Sequence, residues 1–373
     1  MNTPLERNIL LNPGPVTTTT TVKNSLVVPD ICHREKTFVE LLHNVCNDIV
    51  KVVGDLQYWQ AVPFATSGTG VIEACLSSLQ YRDKRILIIN NGEYGHRLVE
   101  IAHAYNLPYV NFISPLNEAL DLLKLKDYIA KHNDIGFIAF VHHETSTGML
   151  NPLEKIVALA KQFNLMTIVD AISSFAGTPI NLNDHPVDFL CISVNKCLQA
   201  FPGLAFVIVN KKIISQENFQ PRNYYFDLYA QIKSQNTNGQ MRFTAPVQLV
   251  YAAQQALNEL FAEGIEKHIQ RLNENFAILT HGLIKLGFKF YLPESCRCSL
   301  LISILEPTIS KFDFMKLHDK LFADNFTIYP GQISLTKTFR LATMGDLTTQ
   351  DIHNFLKSLE KNLNVLDMLP IQY

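Results

Sequence analysis

The sequence predicts an α/β protein built around a mostly parallel, mixed sheet. Between Phe137 and Gly203, three apolar runs rich in β-branched residues are separated by one helical segment or a short loop. Such runs are typical of strands that are buried on both faces. The same alternation occurs upstream, where RILIIN (85–90) is followed by a helix from Leu98 to Tyr105 and a strand near Tyr109 to Ile113.

The segments before this region fit the same class. An apolar-periodic stretch from Val22 to Val28 precedes a helix predicted from about Lys36, for which Gly54 is the stop. One face of that helix carries Phe38, Leu41, Leu42, Val45, Ile49 and Val52. A strand near Gln60 to Phe64 and a helix that opens at SGTG (67–70) come next.

The last third of the chain has a different pattern. Residues Lys211 to Gln240 show weak periodicity, which predicts a partly irregular surface segment or a subunit contact. Helical patterns follow to Phe261 and from Ile265 to Leu286, and an amphipathic helix from Thr349 to Leu363 comes last. We therefore expect a smaller α+β domain after the α/β domain.

Length and composition favour a two-domain globular protein. The chain has 373 residues, of which 47% are hydrophobic and 18% are charged, so a large core is available. We predict a large domain of residues 16–255 and a small domain formed by residues 1–15 and 256–373.

Charge and cysteine content exclude several classes of protein. The net charge of −2 gives no electrostatic reason to expect a nucleic acid or an anionic membrane as partner. Seven cysteines without a CxxC pair favour reduced thiols, and hence the cytoplasm. No basic segment with an apolar core opens the chain, and no apolar run approaches membrane-spanning length.

Two of the apolar runs end at chemically useful residues, Asp170 and Lys196. Open α/β sheets bind ligands beyond the carboxyl ends of their strands, so both side chains are expected to face one crevice. A lysine with a lowered pKa forms Schiff bases with aldehydes such as pyridoxal phosphate. A carboxylate opposite it could keep the pyridine nitrogen protonated. The sequence therefore predicts a site for pyridoxal phosphate.

A possible phosphate site precedes these residues. Ser67, Gly68, Thr69 and Gly70 place backbone N–H groups and two hydroxyls at a helix N-terminus, where an anion is favoured. An ordinary helix start has the same composition. The segment is neither a nucleoside-triphosphate P-loop nor GxGxxG, so nucleotide binding is the weaker interpretation.

Other residues have both a functional and a structural interpretation. Tyr94, between two glycines, could face the crevice or pack over a turn, and Thr145 could bond a ring hydroxyl. Neighbouring residues of the HHE segment (142–144) point to opposite faces of a strand, which argues against a metal site. Asn151, followed by Pro152, predicts a helix start.

Two arginines are candidates for binding anions, and one threonine has a structural interpretation. Arg340, on the strand-like run TFRLATM, suits a substrate anion, although a surface ion pair is the alternative. Arg34 could bind an anion or belong to a solvated charged turn. Thr244 lies before Pro246 and could be a turn residue.

Several motifs together resemble one enzyme family. The chain resembles fold-type I pyridoxal phosphate enzymes of the class V aminotransferase group, and most closely the 2-aminoethylphosphonate–pyruvate transaminases. The motifs that carry the resemblance occur in the family's order: NPGPVTT, SGTGVIEA, NNGEYGHR, HHETSTGMLNP, VDAISSFAGTPI, SVNKCLQAFPG, MRFTAPVQ, FTIYPG and FRLATMGD. One difference is CHREK at Cys32 to Lys36, where the family has CPREK.

The resemblance implies a role for each matching residue. Lys196 would hold the cofactor as a Schiff base and move the proton, and Asp170 would pair with the pyridinium. Ser67, Gly68 and Thr69 would hold the phosphate, with Thr244 donated across a homodimer interface. The remaining assignments are stacking on the cofactor for Tyr94, contact with the ring oxygen for Thr145, a place beside the lysine for Asn195, and substrate binding for Arg340 and Arg34.

The activity implied by the resemblance is transfer of an amino group between 2-aminoethylphosphonate and pyruvate, which gives phosphonoacetaldehyde and alanine. Alanine–glyoxylate or serine–pyruvate transamination is the alternative, because it shares the cofactor motifs. A desulfurase is disfavoured because no cysteine lies in an obvious mobile loop. A non-catalytic scaffold would be expected to lack Lys196 or Asp170, and both are present.

Overall fold

A computed structural model describes residues 7–331, 333 and 336–373. Its strands are β1 (Ile9–Leu10), β2 (Trp59–Phe64), β3 (Arg85–Asn90), β4 (Tyr109–Ile113), β5 (Ile135–Val141), β6 (His143–Glu144), β7 (Met149–Leu150), β8 (Met166–Asp170), β9 (Phe189–Ser193), β10 (Ala205–Asn210), β11 (Leu301–Leu305), β12 (Phe326–Thr327), β13 (Tyr329–Pro330) and β14 (Thr338–Ala342). Its α-helices are α1 (Thr20–Asn24), α2 (Lys36–Lys51), α3 (Gly68–Ser78), α4 (Glu93–Ala104), α5 (Leu122–Ala130), α6 (Leu153–Gln162), α7 (Leu228–Asn238), α8 (Val247–Glu263), α9 (Ile265–Lys285), α10 (Phe314–Ala323) and α11 (Thr349–Val365).

A seven-stranded sheet forms the centre, in the order β2-β10-β9-β8-β5-β3-β4. The strands from β9 to β4 pair in parallel, whereas β10 is antiparallel to both β9 and β2. The predicted mostly parallel mixed sheet is therefore confirmed. Asp170 pairs with Val141 on one side and Cys191 on the other, so the carboxyl ends of β5, β8 and β9 lie at one edge.

Burial explains why these segments become strands. Every residue of β9 is buried, as are all residues of β8 except Met166. Helices cover the sheet with their apolar faces. In α2, Phe38, Leu42, Val45 and Ile49 are buried as the periodicity predicts, and the helix ends three residues before Gly54.

The C-terminal third contains a second sheet, in the order β11-β14-β13, with its own cluster of buried apolar residues. The N-terminal strand β1 joins this part, because it pairs in parallel with β12. The predicted boundary at residues 255–256 falls inside α8, and residues 1–6 of the predicted small domain lie outside the described residues. The domain division stays a prediction.

The main departure from the sequence-based expectation is α7. The segment Lys211 to Gln240 is partly irregular, as expected, with two short 3-10 helices in its first half, but the sequence did not reveal α7, which occupies Leu228–Asn238. The Asp227 side chain accepts from the Ala230 N–H at its start, and Gly239, at φ +68°, ends it. Most of this helix is polar, so its sequence lacks the apolar stripe that would have revealed it.

Two further elements differ from expectation. The helix expected from Leu98 begins at Glu93, because a tertiary contact described below caps it. Asn151 does not cap α6; its amide instead donates to the Val141 and Asn91 oxygens. Within the described residues, no helix has the length and apolar character needed to cross a bilayer.

Candidate active site

A cavity of about 180 Å³ lies at the carboxyl edge of the central sheet. The strand ends and the N-termini of α3 and α4 converge there. Its lining includes seven of the residues predicted from the sequence, namely Ser67, Gly68, Thr69, Tyr94, Asp170, Asn195 and Lys196. The structure therefore brings together segments separated by up to about 130 positions along the chain.

Lys196 lies in a turn three residues beyond β9. Burial, together with the positive charges of Arg340 and Arg97, lowers the pKa of its amine to about 8. Nζ donates a hydrogen bond to the Pro13 carbonyl oxygen at 2.5 Å. On the order of a tenth of this amine is therefore in the neutral, nucleophilic form at pH 7.

The N-terminal NPGP motif packs directly against this lysine. Gly14 has φ +130°, a conformation that favours glycine, and a Cβ at this position would overlap the Lys196 side chain. Its contact with Lys196 joins residues 182 positions apart and is decided by the tertiary structure.

Asp170 is the last residue of β8 and is 6% exposed. Burial raises the pKa of its carboxyl group to about 7, and the nearby charge of Glu144 acts in the same direction. The Ile172 backbone N–H donates to Oδ1 at 3.0 Å and partly opposes this rise. A cation beside this carboxylate would lower its pKa again, so the position suits a protonated ring nitrogen.

The start of α3 suits a phosphate. Ser67 is the N-cap residue, and its side chain makes no capping hydrogen bond, while Ser67 and Thr69 both line the cavity. Gly68 lies so close to Ile172 that a Cβ would be 2.6 Å from its Cδ1. Free helix N–H groups and hydroxyls are ligands that phosphate prefers.

Arg97 was missed by the sequence analysis. It lines the cavity, its Nη1 lies 3.4 Å from the Thr69 hydroxyl, and its guanidinium carbon lies 4.7 Å from the Tyr94 ring centroid. The signal that could have found it is its spacing of three residues from Tyr94, which places both on one face of α4. The arginine adds positive charge to the cavity beside the start of α3.

His143 also lines the cavity, a position that the sequence analysis did not predict for it. Burial lowers the pKa of its ring to about 3, so the imidazole is neutral. Its neighbour Glu144 has a structural role. The Glu144 carboxylate accepts from the backbone N–H groups of Tyr94 and Gly95 at 3.1 and 2.9 Å, and so caps α4.

Arg340 and Thr145 lie next to one another beside the cavity. Arg340 is fully buried on β14, and its Nη1 donates to the Thr145 carbonyl oxygen at 3.1 Å. Its Nε donates to the Pro330 carbonyl oxygen, and its guanidinium carbon is 5.0 Å from the Tyr329 ring centroid. Neither residue is part of the cavity lining, although the charge of Arg340 acts on Lys196.

Arg34 and Thr244 are not brought to the cavity within one chain. Both are exposed, and Arg34 Nη1 donates to the Gln240 side-chain oxygen at 2.5 Å. Thr244 follows Phe243, whose ring stacks on Tyr225 with centroids 4.9 Å apart. Their predicted roles in substrate and phosphate binding stay predictions.

Comparisons with known proteins point to one family. The pattern described as "Aminotransferase class-V" matches residues 19–318. The chain is 34% identical to a 2-aminoethylphosphonate–pyruvate transaminase of Bacillus cereus (strain Q1), with 95% of this chain and 98% of that protein covered. It is 35% identical to a bifunctional phosphonoacetaldehyde hydrolase/aminoethylphosphonate transaminase of Clostridioides difficile (strain 630), over 95% of this chain but 56% of that longer protein.

Among solved structures, an alanine–glyoxylate aminotransferase from Nostoc sp. has the same fold. The TM-score is 0.88 at 26% identity, and 97% of each chain is covered. With a matching pattern over most of the chain and a relative at 34% identity along nearly its full length, the chain belongs to the class V aminotransferase family.

Proposed function

We propose that this enzyme transfers the amino group of 2-aminoethylphosphonate to pyruvate and yields phosphonoacetaldehyde and L-alanine. The observation that carries the proposal is the agreement, along 95% of the chain, with a relative named for this reaction. The buried Arg340 beside the cavity supports it, because both substrates are anions and a guanidinium pairs well with phosphonate or carboxylate oxygens.

Pyridoxal phosphate is the cofactor of class V aminotransferases, and the residues around the cavity fit it. An amine suits the aldehyde, a buried carboxylate suits the ring nitrogen, and a helix N-terminus with two hydroxyls suits the phosphate. When bound, the cofactor supplies a ring that draws electrons away from the amine carbon of the substrate. The protein supplies binding, orientation and proton transfer.

Lys196 is proposed as the general base. Its neutral Nζ accepts the proton from the substrate amine carbon and later returns it to a cofactor carbon. The lowered pKa of this amine, about 8, matches the task, because a catalytic group works best with a pKa near the operating pH. The Pro13 carbonyl oxygen holds Nζ in place between these events.

Asp170 is proposed to hold the proton on the ring nitrogen. It is fixed by the hydrogen bond from the Ile172 N–H, and its burial keeps water away from the ion pair. Tyr94 would orient the ring from one side. Thr145 would contact the ring oxygen, and Asn195 would lie beside the lysine.

Ser67, Gly68 and Thr69 are proposed to hold the phosphate through the N-terminus of α3. Arg97 adds a positive charge to this group. The substrate's phosphonate or carboxylate is assigned to Arg340, and Arg34 is proposed as an additional contact at the mouth of the site.

We further propose a homodimer in which Thr244 of each subunit completes the partner's phosphate site. Exposed aromatic residues around Thr244 support this, since Tyr224 is 78% exposed and Tyr225 is 40% exposed.

The division into domains of residues 16–255 and of 1–15 with 256–373 is supported by the separate apolar cluster of the C-terminal part. A cytoplasmic location is supported by the seven free cysteines.

The proposal is tested with the purified, cofactor-loaded enzyme. Each half-reaction is followed by the absorbance of the bound cofactor with 2-aminoethylphosphonate, alanine or serine as amino donor. We expect 2-aminoethylphosphonate and alanine to react and serine to react far more slowly. Reaction with serine but not with 2-aminoethylphosphonate would favour the alternative, to which the Nostoc structure corresponds by its name.

A further inference from the structure

His268 contacts the turn that carries Lys196 from outside the central sheet. It lies near the start of α9 and is 3% exposed. Its Nε2 is 3.0 Å from the carbonyl oxygen of Cys197, the residue that follows the lysine. A carbonyl oxygen only accepts hydrogen bonds, so Nε2 carries a proton and donates it.

The other ring nitrogen has two partners of different kinds. Nδ1 lies 2.8 Å from Glu263 Oε2 and 3.1 Å from Arg271 Nη2. When protonated, Nδ1 donates to the carboxylate, and when unprotonated it accepts from the guanidinium. Glu263 itself is held by Arg271, with Nε to Oε1 at 2.6 Å and Nη2 to Oε2 at 3.0 Å. The Nε2 contact with Cys197 is therefore kept in both charge states of the ring.

Other hydrogen bonds of the turn do not involve α9. The Lys196 carbonyl oxygen accepts from the Gln199 N–H at 2.8 Å, within the turn. The Gln199 side chain donates to the Met344 carbonyl oxygen at 3.2 Å. The Cys197 carbonyl oxygen, in contrast, accepts a hydrogen bond from His268 on α9. This contact lies beside a cavity of about 250 Å³ whose lining includes His268, Glu263 and Arg271. This carbonyl group belongs to the Cys197–Leu198 peptide, so His268 holds the turn one residue after the lysine from outside the turn.

We propose that His268 is a positioning residue for the reaction. By fixing the Cys197 peptide, it orients the adjacent Lys196 side chain toward the cofactor. The network of Glu263 and Arg271 keeps the ring in place. This inference rests on the proposed role of Lys196 and not on the identity of the substrate.

The test compares two neutral replacements on the cofactor-loaded enzyme. In His268→Gln, the amide nitrogen occupies the place of Nε2 and keeps the donor to Cys197. In His268→Asn, the amide nitrogen reaches only the place of Nδ1. His281→Gln, at an exposed position of the same helix, is the control. The readouts are the pH midpoint of the bound-cofactor absorbance, kcat and KM, and the thermal midpoint.

We expect His268→Gln and His281→Gln to match the wild type in pH midpoint and kcat. We expect His268→Asn to shift the pH midpoint and to lower kcat about five- to tenfold with KM unchanged, the effect of one lost hydrogen bond. Equal behaviour of the Gln and Asn variants, whether active or impaired, would overturn the proposal. Borohydride reduction of the wild type that labels another lysine would instead overturn the role of Lys196, and the inference with it.

Discussion

Gly14→Ala is the sharpest test of how the N-terminal motif positions Lys196, the proposed catalytic lysine. At φ +130°, an alanine costs about 1–3 kcal/mol in backbone strain. Its Cβ would also lie 2.6 Å from Cδ and 2.8 Å from Cε of Lys196. Carbon atoms normally pack at about 3.5–4.0 Å, so the lysine must move by roughly 1 Å.

The lysine side chain is flexible at its amine end, so we expect displacement of Nζ rather than unfolding. A misplacement of about 1 Å in a catalytic group costs on the order of 10²-fold in rate. Gly14→Ala should therefore lower kcat by about this factor and slow the capture of pyridoxal phosphate. The loss of stability should stay near the strain alone.

The matched control is Gly287→Ala. Gly287 has φ +93°, and a Cβ there would lie no closer than 3.3 Å to any neighbour, the Cβ of Ile371. Both variants should lose similar thermal stability in a denaturation scan, but only Gly14→Ala should lose kcat in the half-reaction assay. A Gly14→Ala enzyme with the kcat of the Gly287→Ala enzyme would refute the assigned contact.

Three further predictions concern the other groups of the site. Arg340→Ala should slow both half-reactions at least about tenfold, because a charge-assisted hydrogen bond contributes roughly 1.5–3 kcal/mol. Arg340→Lys should slow them less. Unchanged single-turnover rates in Arg340→Ala would remove the assignment of Arg340 to substrate binding. Asp170 has a folded pKa of about 7, so it stabilises the cofactor-free fold at low pH and this contribution is lost as pH rises from about 4 through 7. Urea unfolding across this range should show Asp170→Asn more stable than the wild type above pH 7, by at most about 4 kcal/mol, and parallel pH profiles would contradict the buried carboxyl. If Thr244 completes the partner's site, mixing inactive Lys196→Ala and Thr244→Glu subunits should restore activity at about one quarter of the sites, whereas additive, unrestored activity would exclude a shared site.

The sequence alone was sufficient to predict the strands of the central sheet and to single out Asp170 and Lys196 at its carboxyl edge. The strands ending at Asp170 and Ser193 are buried on both faces, so their apolar runs are strong and local signals. The polar helix α7 left no such signal, because a helix that buries only Leu228, Gln231 and Ile232 has no apolar stripe. The start of α4 was misplaced because its cap comes from Glu144, which lies 49 positions away from Gly95.

The sequence by itself determined which residues are candidates for catalysis and binding. Each candidate is marked by a local pattern: Asp170 and Lys196 end apolar runs, and Ser67 to Thr69 open a helix. The tertiary structure alone decided how those groups are tuned and held. Three contacts join segments that no local pattern connects. Gly14 packs against Lys196, Arg97 lines the cavity, and His268 donates a hydrogen bond to the Cys197 carbonyl oxygen. The physical reason is that burial and electrostatic fields depend on distances in space, and it is burial that lowers the pKa of Lys196 and raises that of Asp170.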